Sequence, residues 1–369
     1  MREKYLLYKK NFKYIDTSIF DKIEEFQKIK SKDLRIICSQ ISILLDSGLG
    51  IDEIIYLIGE TQKKQYKSKF NLIERSIKKG YSIENSFRTS NLFSEFFYNM
   101  IACGENSGKL SIVMDDMSRY YERDYKIKSK LKSVMIYPII LLIMMTVSLI
   151  FIMYEVIPNF AFVFESNNIT PPLFSYIVIK TMLFIRKYMN ILLPIVITIP
   201  ILLYISIKNN EGFKEQLDKI KCKLPIINKY YMMFVTATFS RNLYLMIKSG
   251  IPIVESIKTS SNIIDNKYIK EKINISIRYI NRGNSISKSI NLSGVFSNMF
   301  VSMLKNGEES GNIEKSLSYI NDFFENELDI MLERAIKFIE PMLTIIIGLI
   351  IGSLIIAIVM PMFDAITSI

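Results

Sequence analysis

Gly104-Glu105-Asn106-Ser107-Gly108 returns 203 positions later as Gly307-Glu308-Glu309-Ser310-Gly311. Around it, residues 93–110 lie over 296–313 without gaps, with 8 identities in 18 positions. A long internal repeat signals a duplicated unit, and that has to be settled before a fold class is chosen. The match spreads outward. Leu44-Leu45-Asp46-Ser47-Gly48 lies over Met246-Ile247-Lys248-Ser249-Gly250 at an offset of 202, and Gly80 over Gly283 at 203. Pro138 then meets Pro341, and Val156-Ile157-Pro158-Asn159-Phe160 meets Val359-Met360-Pro361-Met362-Phe363. The repeat therefore covers a helical region and the apolar segment after it.

The first copy reads as helices only. Leu34, Ile37, Cys38, Ile41, Leu44 and Leu45 share one face at helical spacing, and Gly48 closes that helix. A short helix is predicted over 52–60. Tyr66, Phe70, Ile73 and Ile77 make the stripe of a third helix, which stops at Gly80. Ser82 is placed to cap a fourth. A segment over 93–103 is broken by the repeated loop, and a further helix starts near Leu110. No alternating strand pattern competes.

Half of the residues are apolar, which points to membrane spans. Residues 134–157 are 24 residues with one charge, Glu155, long enough to cross hydrocarbon. Residues 189–207 carry no charge and contain Pro194 and Pro200. Residues 341–360 make a third apolar stretch. Lys and Arg cluster before the first span and after the second, whereas 156–172 has neither. The positive-inside rule then places the N-terminal region in the cytoplasm and the C-terminus outside. Residues 173–185 read as an amphipathic helix on the outer surface.

The chemistry suggested by composition is narrow. The chain has no histidine, so imidazole bases and imidazole ligands are excluded. Its three cysteines show no C-x-x-C spacing and read as small apolar residues. Gly104-x-x-x-Gly108-Lys109 resembles a phosphate loop but is one residue short, and Leu110 replaces the required hydroxyl. Asn312 replaces the lysine in the second copy. The pattern suits a tight turn, with Ser107 capping the next helix and Glu105 and Glu308 near helix N-termini. Asp115-Asp116 and Glu308-Glu309 read as solvated charges rather than a metal or acid/base pair. Glu155 and Glu340 sit at span ends, leaving no acid at a midplane, which disfavours a carrier. The net charge of +11 flanks the spans, which suits orientation and anionic lipid rather than nucleic acid.

These residues resemble the type II secretion F protein family, the inner-membrane platform proteins of type II secretion systems, type IV pili and competence pili. The resemblance covers 33–369. It rests on the duplicated L-L-x-S-G and G-E-x-S-G-x-L patterns, Tyr137-Pro138 opening a span and Val156-Ile157-Pro158-Asn159-Phe160 closing it. Pro171-Pro172-Leu173 and Met360-Pro361-Met362-Phe363-Asp364 also fit. Gly50 against Pro252, and Tyr137 against Glu340, depart between the copies. The resemblance implies a non-enzymatic platform without cofactor or metal. It would couple a cytoplasmic hexameric ATPase to pilins or pseudopilins, alongside other inner-membrane assembly proteins, and would self-associate. A membrane transporter or carrier is the alternative.

The expected fold is an all-α membrane protein with two duplicated cytoplasmic helical bundles and three transmembrane helices. The expected segments are an N-terminal extension 1–33, a first domain 34–132, a first span 133–157 and an external loop with amphipathic helix 158–188. A second span 189–207, a linker 208–236, a second domain 237–337, a third span 338–360 and an external tail 361–369 follow. Gly104, Glu105, Ser107, Gly108, Gly307, Glu308, Ser310 and Gly311 are candidate partner contacts. Pro138, Pro158, Pro341 and Pro361 delimit the first and third spans.

Overall fold

The computed structural model describes residues 28–166, 172–209 and 211–367, and every regular element among them is helical. The N-terminal set comprises α1 (Ser31–Asp46), α2 (Ile51–Thr61), α3 (Lys64–Lys78), α4 (Ile83–Arg88) and α5 (Glu95–Ser107). A long helical run follows: α6 (Leu110–Val134), α7 (Ile136–Phe151), a π-turn over Ile152–Val156 and α8 (Ile157–Ser166). Then come α9 (Leu173–Asn209), α10 (Glu211–Lys223) and α11 (Pro225–Lys248). The C-terminal set is α12 (Ile253–Ile263), α13 (Lys267–Asn281), α14 (Ile286–Leu292) and α15 (Asn298–Glu309), followed by the 55-residue α16 (Ile313–Thr367). Two compact units result. One joins residues up to Lys128 with Glu215–Leu328, and the other joins Ser129–Lys214 with Asp329–Ile369.

The first unit is built as its apolar spacing requires. Leu34, Ile37, Cys38 and Ile41 of α1 are buried, as are Tyr66, Phe70 and Ile73 of α3. Ser94 accepts the Phe97 N–H and Ser297 accepts the Phe300 N–H, which starts α5 and α15 in the same way. The rings so positioned also match, with Phe93 on Phe97 at 4.2 Å and Phe296 on Phe300 at 4.6 Å between centroids. Full burial of one such ring stabilises by about 1.5–3 kcal/mol. Leu245 and Met246 of α11, with Ile251, pack into the core formed by α1–α6.

In the second unit, Ile157 and Ile179 are buried together, with Phe160, Met182 and Leu183 packed around them. The Arg186 guanidinium lies 5.1 Å from the Tyr154 ring centroid. Lys130 Nζ reaches Glu333 Oε1 at 2.9 Å. The stretches Leu110–Phe162 and Ile313–Val359 are long and apolar enough to cross a membrane. Only 6% and 11% of their apolar windows are buried within the protein, unlike the core helix of a soluble domain.

Several helices run past the expected boundaries. The motif at Gly104 is the last turn of α5, not a loop, because Glu105, Asn106 and Ser107 stay helical and only Gly108 turns left-handed. The helix does not stop at Pro158, because the π-turn ahead of it shifts the hydrogen-bond register. The Asn159 side-chain amide then donates to the Glu155 carbonyl at 2.7 Å. Residues 173–188 and 189–207 form the one helix α9, since no glycine interrupts them. The expected linker 208–236 contains α10 and the start of α11, and α10 is packed. Asp218 of α10 is 1% exposed and accepts the Lys267 N–H, while the Asn266 amide donates to the Asp218 carbonyl. In α16, Pro341 and Pro361 both lie inside a continuous helix. Ile29 is buried, so the packed region begins before residue 34, while 1–27 of the expected extension lies outside the described residues.

Candidate functional site

The repeated motif does three physical jobs, and each recurs at an offset of 203. The first glycine permits close approach. A methyl on Gly104 would stand 3.0 Å from Leu110 Cα, and one on Gly307 would stand 2.5 Å from Ser316 Cβ. The second glycine takes φ of 66° at Gly108 and 69° at Gly311, a region costly for other residues. That conformation lets Lys109 N–H reach Gly104 O at 2.9 Å, and Asn312 N–H reach Gly307 O at 3.0 Å, closing α5 and α15.

The glutamate between them points inward. The Glu105 carboxylate accepts the Ile83 N–H at 2.8 Å and the Glu84 N–H at 3.1 Å. The Glu308 carboxylate accepts the Ile286 N–H at 2.5 Å and, from Ser287, the N–H at 2.9 Å and the hydroxyl at 2.6 Å. Each carboxylate thus satisfies orphan donors at the start of the short α4 or α14. Burial alone would raise the Glu308 pKa, but the donors from Ser287 and Ile286 outweigh it and hold the carboxyl below its ordinary range.

Ser107 does not cap the next helix. Its hydroxyl donates back to Cys103 O at 2.7 Å, because α5 is still helical there. In the C-terminal set the cap of α16 is Asn312, whose side chain accepts the Lys315 N–H at 3.2 Å, while Ser310 donates to Gly307 O at 3.3 Å. Ser107, Gly108, Ser310 and Gly311 are exposed, whereas Gly104 and Gly307 are buried. The other acids are spent on cations. Asp115 pairs with Arg119 at 2.7 Å, Asp116 with Lys248 at 2.7 Å, and Glu309 with Lys305 at 3.5 Å.

A second constellation joins helices of the two sets. Glu325 of α16 accepts from Arg241 of α11 and from Arg123 of α6, the latter at 2.5 Å. Arg241 is 7% exposed and lies 5.5 Å from the Tyr120 ring centroid. Burial pushes the Tyr120 phenol up to about 12. Asn99 donates to Thr259 at 3.0 Å, and the Cys103 thiol meets the Ser249 carbonyl. Sequence reasoning missed Arg241 and Glu325. The available signal was that Arg241 is the lone charge between Lys229 and Lys248.

The prolines behave differently in the two apolar stretches. The helix breaks at Met135, just before Pro138, and the π-turn precedes Pro158. Pro341 and Pro361 interrupt nothing in α16.

Comparison with known proteins places this geometry. The family model for type II secretion system protein F matches twice, over residues 37–158 and 239–361. The type IV pilus assembly protein PilC of Pseudomonas aeruginosa is 26% identical over 340 residues, covering 92% of this chain and 91% of that one. PilC of Thermus thermophilus is 24% identical, covering 91% and 83%. The type II secretion system protein F of Vibrio cholerae is 24% identical, with the same coverages. The two family matches together take in most of the chain, both apolar stretches and both copies of the Gly-Glu-x-Ser-Gly turn, and the chain belongs to the type II secretion system protein F family.

Proposed function

We propose that this protein is a non-enzymatic inner-membrane platform for assembly of a type IV pilus or a related secretion pseudopilus. The observation that carries the reading is the pairing of a helical unit with outward-facing apolar helices in a chain matched twice by the family model. We read the two sets as a duplication, lying in the cytoplasm, with 189–207 of α9 as a third span and the C-terminus outside. The 37 residues of α9 measure about 55 Å, more than a bilayer core of ~30 Å. Its first half, which packs on α8, then stands outside the hydrocarbon. Cytoplasmic motor contact is assigned to the exposed motif positions Ser107, Gly108, Ser310 and Gly311, with Glu105 and Glu308 holding their helices in place. Pilins or pseudopilins, other assembly proteins and further copies of the chain are the expected partners along the spans.

Deleting the gene should abolish filaments while pilin remains in the membrane. Normal piliation in the deletion strain would overturn the reading. Substrate flux in proteoliposomes holding this protein alone would favour a carrier instead.

A further inference from the structure

Within the first unit the two helical sets meet by unlike faces. The N-terminal set offers α5 and the start of α6, and the C-terminal set offers the end of α11 with α12. Asn99 donates to the Thr259 hydroxyl at 3.0 Å, the Cys103 thiol meets the Ser249 carbonyl, and Lys248 donates to Asp116 at 2.7 Å. Leu245, Met246 and Ile251 join the N-terminal core and add apolar contact.

The sequence repeat supplies each side of this joint a second time. At an offset of 203, Asn99, Cys103 and Asp116 fall on Ser302, Asn306 and Tyr319 of α15 and α16. At 202, the offset that also relates the bounds of α2 to those of α12, Lys248, Ser249 and Thr259 fall on Asp46, Ser47 and Leu57. A two-fold joint would bury both pairs of faces at once. Here the second pair stands open. Leu245 is 8% exposed and its counterpart Ile43 64%; Thr259 is 5% exposed and Leu57 42%. Phe96 of α5 is 2% exposed and Met299 of α15 48%. Asp46, Ser47, Ser302, Asn306 and Tyr319 are exposed as well. A joint of unlike faces that leaves one of each kind open is one that another molecule can repeat.

We propose that a second copy of this chain repeats the joint, laying its α1–α2 face on the α15–α16 face of the first. The open side chains are matched for it. Asn306 donates its amide to the Ser47 carbonyl, in the place where the Cys103 thiol meets Ser249. Tyr319 donates its hydroxyl to the Asp46 carboxylate, in the place where Lys248 meets Asp116. Ser302 and Leu57 do not reproduce the Asn99–Thr259 bond; apolar contact of Met299 with Ile43 and Leu57 takes its place and covers side chains otherwise left in water. The proposal deepens the reading that further copies are partners, and it puts their contact on the helical sets rather than the spans. Association is measured without filaments, so it can fail while the platform reading stands.

The test uses the full-length chain in its membrane, carrying Cys38→Ala, Cys103→Ala and Cys222→Ala, with the unfolding temperature of this parent as the folding control. Ser47→Cys and Asn306→Cys are introduced into two separate copies with tags of different size. When the two are co-expressed, copper-phenanthroline should link them into one mixed dimer, several-fold above the yield from either variant alone, because each face meets only the other kind. Tyr319→Asp on the Asn306→Cys copy should weaken the link by placing a carboxylate against Asp46. Asp46→Lys on the Ser47→Cys copy should then restore it, since the two changes reproduce the Asp116–Lys248 pair of the joint within the chain. Absence of the mixed link overturns the proposal, the open faces then meeting lipid or a protein of another kind. So does a link of equal yield from one variant alone, which would mean that like faces meet.

Discussion

Glu308 and Gly307 show how much one residue decides here. The Glu308 carboxylate serves three donors, so Glu308→Ala leaves two N–H groups at the start of α14 without their acceptor. Hydrogen bonds to a charged group contribute about 1.5–3 kcal/mol, and the variant should lose about that much in thermal or denaturant unfolding. Glu308→Gln should lose less, because its amide oxygen still accepts. The pH dependence follows from the lowered pKa of Glu308. A depressed carboxylate stabilises the fold above its unfolded pKa, and that contribution disappears as pH falls through the folded value. The gap between wild type and Glu308→Gln should therefore be full at pH 7 and close on acidification below the ordinary glutamate range. Gly307→Ala would drive a methyl into Ser316, and the double variant Gly307→Ala/Ser316→Gly should recover part of the lost stability.

At the scale of elements, Glu325 ties α16 to α6 and α11. Removing its charge strands Arg241, which has little water of its own. Breaking one side of a buried ion pair costs about 3–5 kcal/mol, so Glu325→Leu should be strongly destabilised. Replacing Arg241 by Met in the same chain should restore much of the loss, because an apolar pair avoids both desolvation penalties. Melting temperatures of the single and double variants in detergent check this. The helix that contains the π-turn gives a second prediction. Ile179 is 8% exposed against Ile157, and Ile179→Asp should open the packing of α9 on α8. A cysteine pair placed at Phe160 and Leu183 should then crosslink more slowly than in the parent.

At the scale of the molecule the testable matter is topology. Cysteines at Ser166 and Lys79, in an otherwise cysteine-free chain, should react oppositely with an impermeant thiol reagent in intact cells. Ser166 should label and Lys79 should not; the reverse pattern would invert the orientation. The native Cys38 is a poor control, since it is fully buried and burial raises its thiol pKa, so it stays silent from either side. Cys103, half-buried against the Ser249 carbonyl, is little better.

Much of this was legible in the chain alone. The stripe Leu34, Ile37, Cys38 and Ile41, the stop at Gly80 and the cap at Ser82 depend on neighbours within a few residues, and sequence spacing reports those directly. The apolar stretches are legible for the same reason, because a bilayer tests composition over a short window. The repeat itself specified the helical class and the recurring turn. Helix continuity through Pro158, Pro341 and Pro361 was not legible, since a proline removes one hydrogen bond and the surrounding helix decides whether that is tolerated. Nor was the inward aim of Glu105 and Glu308, whose N–H donors lie twenty-odd residues upstream. The pairing of Arg241 with Glu325, 84 positions apart, and the bond from the Ile29 N–H to the Leu92 carbonyl are contacts between distant segments. Local propensity carries no information about which distant group a charge or a carbonyl will meet; packing alone chose those partners.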